Sequence, residues 1–233
     1  MRALPVRGVE ALVADGPLVI LAPHPDDESL GCGGIIAACC AMGVPPFVVV
    51  VTDGAGSHPG SVAYPWERLV GLRAAEARAA VGLLGLAADR IAFLGLPDTL
   101  SPLDGAGLEA AAGRVAAVVR MVGAGAVLAT WAFDPHCDHL SAHRIGGRAA
   151  ALCGVRHLAY PVWGWTLPDG AEVEGVRGGL RVDVSAFLGV KRAAILAHRS
   201  QYAGLIADDP SGFQMSEGFV ERFLGGFEVV VEV

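Results

Sequence analysis

Two short stretches carry the residue types that bind metals and move protons. His24-Pro25-Asp26-Asp27-Glu28 packs an imidazole and three acids into five residues, and Asp134-Pro135-His136-Cys137-Asp138-His139 follows much later in the chain. Like charges a few ångströms apart resist joint ionisation, so such a cluster needs a cation or a hydrogen-bond network to compensate it. A metal site is the expected compensation.

Two histidines and one aspartate make a three-ligand site with open positions, the arrangement of a catalytic rather than a structural metal. His24, Asp27 and His139 are the expected ligands. His24 and Asp27 stand three apart at the start of a helix and share one face, which leaves Asp26 aimed elsewhere and free to act as a base. A bound ion such as Zn²⁺ lowers the pKa of water from about 15.7 to about 7, and Asp26 takes the remaining proton. His136, beside Asp138, is expected to be kept protonated by that carboxylate and to stabilise an oxyanion. Together these parts describe metal-assisted amide hydrolysis, with Asp26 returning a proton to the leaving amine. One divalent ion is implied, Zn²⁺ ahead of Fe²⁺.

The elements that must position these residues alternate. Strands are expected at 18–22, 47–51, 91–94, 126–130 and 158–162, with helices at 30–42, 67–84, 108–122 and 141–153 between and after them. Gly43 reads as the cap that ends the first helix, and 55–66 as a long loop. Beyond an irregular rim or hairpin at 163–179, a strand at 180–184, a helix at 187–198 capped by Ser185, and a strand at 228–233 complete the pattern. This alternation implies an α/β fold: a Rossmann-like, doubly wound, mainly parallel sheet flanked by helices, with a C-terminal β-containing segment. Ligands bind such sheets outside the carboxyl ends of the strands, where both chemical stretches fall.

Pro23-His24-Pro25-Asp26-Asp27-Glu28 with His136-Cys137-Asp138-His139 resembles the PIG-L/LmbE family of metal-dependent N-deacetylases. Thr52-Asp53-Gly54, Arg73-Ala74-Ala75-Glu76, Leu94-Gly95-Leu96-Pro97-Asp98 and the segment from Lys191 to Ser200-Gln201 resemble family positions in the same order, so the resemblance spans almost the whole chain. It implies removal of an acetyl group from an N-acetylglucosamine-type sugar or conjugate, a small-molecule substrate. Its motif positions match His24, Asp27 and His139 as ligands, Asp26 as base and His136 at the oxyanion. It adds Arg73 and Asp98 as residues that meet sugar hydroxyls. Cys137 stands where the family commonly has proline.

Plainer readings compete at several positions. Glu28 reads as structural support, Asp138 as a helix cap as well as a partner of His136, and Arg73 as an ion pair with Glu76. His58, Tyr64, Trp163 and Trp165 suit a carbohydrate-contacting rim, against a default of packing. No role follows from sequence for His143, His157 or His198. A non-haem Fe(II) oxygenase also uses two histidines and a carboxylate, but on a β-rich barrel. An amidase of sugar-thiol conjugates would use these same residues.

Composition narrows the partners. The 233 residues are 53% hydrophobic with a formal net charge of −7, which fits one domain over 1–233 and offers no electrostatic footprint for nucleic acid. Five cysteines without a C-x-x-C spacing point to a reducing compartment, and charges and a proline interrupt the first ten residues, so a cytoplasmic protein is expected. The uncharged run 29–52 is cut by Gly43-Val44-Pro45-Pro46, which argues against a membrane span. A homo-oligomer is compatible with all of this.

Overall fold

The computed structural model describes residues 3–168, 176 and 178–233. In chain order the strands and α-helices are β1 (Val6–Arg7), β2 (Leu18–Ala22), α1 (Asp27–Ala41), β3 (Phe47–Thr52), α2 (Trp66–Leu83), β4 (Ile91–Leu96), α3 (Gly105–Val122), β5 (Ala126–Thr130), α4 (Cys137–Cys153), β6 (Arg156–Tyr160), β7 (Gly178–Asp183), α5 (Leu188–Ala197), α6 (Arg199–Tyr202), α7 (Glu217–Glu221) and β8 (Phe227–Glu232). One sheet takes the strands in the order β1-β7-β8-β6-β5-β2-β3-β4. Only β8 runs antiparallel to its neighbours, β6 and β7. The expected α/β architecture with a mainly parallel sheet and a β-containing C-terminal segment is present.

β2 is buried along its whole length, and its alternation divides the core. Leu18, Ile20 and Ala22 face a layer built from α1, α2 and α5, whereas Val19 and Leu21 face α3 and α4. A strand covered on both faces has no polar side to show, which is why the central runs read as unbroken Val, Ile, Leu and Ala.

Small residues let α1 lie deep against the sheet. A Cβ at Gly31 would stand 2.3 Å from the Tyr160 ring, and one at Gly34 would stand 2.5 Å from Val184. The helix is therefore buried almost all round, as its lack of polar residues predicts. Glu228 of β8 reaches into it, accepting the Gly34 and Ile35 amides at 2.7 Å each. The same carboxylate pairs with Lys191 Nζ of α5 at 2.7 Å, with Lys191 1% and Glu228 2% exposed. A buried carboxylate with two amides and an ammonium is fully compensated, and it ties the last strand to the first helix.

Several boundaries differ from the sequence expectation. α1 begins at Asp27 rather than residue 30, and α4 at Cys137 rather than 141, so Asp27, Glu28, Asp138 and His139 sit in first helical turns. Acids are favoured there by the free amides and the helix dipole, which polar-residue counting misread as loop. Ser185 does not cap α5: its hydroxyl donates to Asp183 at 2.6 Å and it opens a 3₁₀ turn before Leu188. β1 has two residues, too few for a periodicity signal, yet pairs in parallel with β7. The irregular rim holds a 3₁₀ turn at Trp163–Thr166, and β7 begins at Gly178. The remainder of that expectation, at 169–175 and 177, lies outside the described residues. None of the described helices is long and apolar enough to cross a membrane.

Two outcomes follow for stability. Lys191→Met strands a buried carboxylate and should lower unfolding free energy by about 3–5 kcal/mol in urea titration, with Glu228→Gln added to it recovering much of the loss. On the α4 side, His157 packs against His143, 4.7 Å between ring centroids, and burial followed by the His143 charge lowers its pKa to about 4. Unfolded imidazole titrates near 6.5, so between about pH 4 and 6.5 the unfolded chain binds more protons. His157 stability is thus complete above pH 6.5 and lost as pH falls toward 4, by an amount on the order of 3 kcal/mol. His157→Phe should flatten the pH dependence of the urea midpoint across that window.

Candidate functional site

From β2 the chain winds outward to β3 and β4, then returns to lay β5 on the other side of β2. The carboxyl ends of β2 and β5 therefore flank the switch point, where departing connections leave an open crevice. His24 follows β2 directly and Asp27 opens α1. His136 caps α4, and His139 lies in that helix's first turn. Two helix N-termini thus meet over the crevice.

The Asp27 carboxylate is the point of convergence. Its Oδ2 lies 3.1 Å from His24 Nδ1, 3.4 Å from His139 Nε2, and accepts the His24 amide at 2.9 Å. Ligand atoms at about 2.0–2.1 Å from a tetrahedral ion stand about 3.3–3.4 Å apart, so these spacings fit the edges of such a site. His139 is fully buried, and its Nε2 has no hydrogen-bond partner. A buried imidazole nitrogen with no hydrogen-bond partner, facing a carboxylate, fits a metal ligand.

Carboxylates hold the other nitrogen of both imidazoles. His139 Nδ1 lies 3.0 Å from Asp134 Oδ2, and His24 Nε2 lies 3.2 Å from Asp138 Oδ2 and 3.3 Å from Asp98 Oδ1. Metal-binding histidines are oriented in this way, by an acceptor on the ring nitrogen away from the ion. Among the described residues, three groups bring ligand atoms within 4.8 Å of one another: His24 with His136 and His139, His136 with Cys137 and Asp138, and His24 with Asp98 and Asp138. In the last of these the acids have other partners: Asp98 accepts from the Gly56 amide, and Asp138 from the Thr99 and Ser101 amides and the Ser101 hydroxyl. They read as the orienting layer behind His24.

This placement corrects one expectation. The Asp138 carboxylate does not keep His136 protonated: it lies 3.9 Å from His136 Nδ1 and turns to His24 instead. His136 Nδ1 accepts the Asp138 backbone amide at 3.2 Å, which caps α4. Burial, then the charges on His24 and His139, hold the His136 imidazole below its ordinary pKa. With Nδ1 accepting, the neutral ring carries its proton on Nε2, a tautomer assigned from the hydrogen bond. Its Nε2–H is free to donate.

Asp26 points away from the histidines, as its position in the motif suggested. Its Oδ2 meets Arg73 at 3.0 Å, and Arg73 also donates to the Gly54 carbonyl at 2.6 Å. Burial raises the Asp26 carboxyl above its ordinary range, against the opposing pull of Arg73. Burial would raise Asp27 as well, but His139 and His24 outweigh it and hold that group well below the usual carboxylate range. The plainer reading of an Arg73–Glu76 pair gives way, because Glu76 accepts from the Ser200 amide and hydroxyl.

Arg73 and Asp98 line a cavity of about 200 Å³ together with His24, Asp26, Asp27 and His136. Its apolar lining includes Trp163, Phe213 and Phe219, whose ring centroids are 5.4–6.1 Å apart. Trp163 therefore reaches the cavity, whereas Trp165 packs against the core. Cys137 occupies the first position of α4, where the N–H has no intrahelical partner and proline is equally accommodated.

Two residues escaped the sequence reading. Asp134 is buried and accepts the Val162, Trp163 and Gly164 amides while holding His139. Its spacing of five from His139 was visible, but its amide partners come from a distant turn. His198, fully buried, lies 3.1 Å from Glu28 Oε1 and 3.2 Å from the Ser29 hydroxyl, bracing the α1 start from behind. Glu28 is accordingly a support, as expected.

Comparison with known proteins finds relatives along most of the chain. A deacetylase of 1D-myo-inositol 2-acetamido-2-deoxy-alpha-D-glucopyranoside from Rhodococcus erythropolis is 27% identical, over 89% of this chain and 87% of its own. The structure of the conserved protein TT1542 from Thermus thermophilus superposes with a TM-score of 0.64 at 28% identity, covering 92% of this chain and 93% of that one. A teicoplanin-pathway deacetylase, Orf2 triple mutant, shares the fold with a TM-score of 0.71 at 18% identity, covering 93% and 97%. The PIG-L family, described as GlcNAc-PI de-N-acetylase, matches residues 19–150, a span holding β2 through α3, β5, most of α4 and both chemical stretches. This chain belongs to the PIG-L family.

Proposed function

We propose that this chain is a metal-dependent hydrolase that removes the acetyl group from an N-acetylglucosamine-type sugar or conjugate. The observation that carries this reading is the convergence of His24 Nδ1, Asp27 Oδ2 and His139 Nε2 at ion-edge spacings, each imidazole backed by a carboxylate. Family membership and relatives that deacetylate 2-acetamido sugars support the amide and the sugar class. These three atoms would hold one divalent ion, Zn²⁺ ahead of Fe²⁺. When bound, such an ion supplies Lewis acidity and makes water acidic enough to ionise near neutral pH.

The chain's own groups do the rest. Asp26 is the general base, next to the ligands yet facing Arg73, and the described hydrogen bonds occupy only its Oδ2. Oδ1 takes the proton of the attacking water and later delivers it to the amine nitrogen as the C–N bond breaks, which balances the hydrolysis to free amine and acetate. Arg73 orients Asp26 and opposes the effect of burial on its carboxyl. His136 donates its Nε2–H to the oxyanion, a role that needs a preorganised donor and not a charged one. Asp138 and Asp98 orient His24, and Arg73 and Asp98 also meet sugar hydroxyls at the cavity wall.

Three measurements test this. Asp26→Asn should lower kcat for acetate release from N-acetylglucosaminides by about 10²–10⁴ with KM little changed; a wild-type rate would remove Asp26 as base. Chelation should abolish activity and Zn²⁺ restore it, whereas undiminished turnover in the metal-stripped enzyme would reject the metal mechanism. Asp134→Ala should weaken metal affinity about 10–100-fold in competitive chelator titration, since it releases His139 Nδ1.

A further inference from the structure

The cavity at the reaction centre, about 200 Å³ in volume, has unlike walls. Gly56 and Ser57 enter it after β3, and Asp98 and Thr99 after β4, whereas Val162 and Trp163 enter it after β6. The sheet order sets β5 and β2, with the residues that meet at Asp27, between these two ends. Leu30 of α1, Phe213 and Phe219 of α7 complete an apolar wall with Val162 and Trp163. Neither the metal ligands nor the proton-transfer groups account for it.

The wall is fixed from its backbone outward. Asp134, which holds His139 by its Nδ1, also accepts the Val162, Trp163 and Gly164 amides at 2.8, 3.1 and 2.7 Å. The turn that carries Trp163 is thereby tied to the backing of a metal ligand. Phe213 gives its amide to the Ser57 carbonyl at 2.8 Å. The Trp163 ring centroid lies 5.8 Å from that of Phe213 and 5.4 Å from that of Phe219, spacings at which aromatic rings support one another. All three rings are only half buried, although Leu30 and Val162 beside them are buried.

A scissile carbonyl carbon carries three groups, and the proposed chemistry fixes two of them. The oxygen faces the His136 donor, and the nitrogen lies within reach of Asp26, with the sugar beyond it on Arg73 and Asp98. The acyl substituent takes the direction that is left, toward rings and aliphatic side chains. One acetyl methyl covers little of three half-buried rings. We propose that this wall is an acyl subsite, and that the preferred substrates are amino sugars N-acylated with an unbranched aliphatic group longer than acetyl, propionyl or butyryl. The inference rests on the proposed hydrolase reading and names the acyl half of its substrate. Moving one methylene from water onto an apolar wall is worth about fourfold in affinity. A carboxylate at the end of the acyl group would lose its water against the rings with no cation among them.

The test compares kcat/KM for N-acetyl-, N-propionyl- and N-butyrylglucosamine. The wild-type value for the butyryl compound should exceed that for the acetyl compound about tenfold, and a value equal to or below it overturns the proposal. Trp163→Ala should lower the butyryl-to-acetyl ratio about tenfold, whereas Trp163→Phe should keep it within about threefold of wild type. The ratio is independent of how much of each variant folds. A sugar ring stacked on Trp163 would make the alanine variant lose activity equally on every acyl group, and such an unchanged ratio overturns the acyl subsite. Should the wild-type protein hydrolyse none of the three, the hydrolase reading fails separately, and calorimetric binding of the same compounds decides the wall. Tighter binding of the butyryl compound that is lost in Trp163→Ala supports it there, and equal or absent affinity overturns it.

Discussion

The contact on which the rest of this structure depends is the Asp27 carboxylate set between two imidazoles. A buried charge is tolerable only with close compensation, and here the compensation arrives from the turn after β2 and from the first turn of α4. Once that point is fixed, its surroundings follow in layers. Asp134, Asp138 and Asp98 take the outward nitrogens of the imidazoles, and backbone amides from three loops satisfy those acids in turn. Asp26, displaced from the cluster by one residue of chain, is left to Arg73. The division of labour within the five-residue motif is thus a consequence of helix geometry: residues on one face converge and their neighbour cannot.

Much of this was legible in the sequence. The apolar runs at 18–22, 47–51 and 126–130 gave the buried strands because nothing polar breaks their interior, and the two motifs gave the residues that meet around Asp27. Residues whose meaning depends on a distant partner were not legible. Asp138 beside His136 suggested a pair, but the helix start turns its carboxylate toward His24, a residue far away in sequence. Lys191 and Glu228 had no pairing legible in the sequence, and only the depth of α1 makes them a buried pair. His198 carried no signal, since an isolated histidine near a helix end says nothing about the Glu28 it will meet.

The helix starts were misplaced for a related reason. Acids and histidines at 26–28 and 136–139 lower apparent helix propensity, so counting favours loops there. Those groups belong in first turns because free amides and converging dipoles favour acceptors at that end. Functional demand and helix-start chemistry coincide, and the coincidence hides the boundary.

The anchoring of α1 by Glu228 has a consequence for the order of assembly during synthesis. The helix that presents Asp26 and Asp27 emerges early from the ribosome, but the carboxylate that satisfies its middle amides is separated from them by 193–194 residues. His139, which meets Asp27, also follows more than a hundred residues later, and Glu228 lies on β8, after every other described strand of the sheet. The half-finished chain therefore exposes an apolar, glycine-rich helix and an uncompensated acid cluster at the same time. Contacts of such long sequence separation close slowly, because loop entropy is lost before they form. The residues that meet at Asp27 and the pair that anchors α1 are therefore joined only after β8 has been made, so the site and the sheet close together.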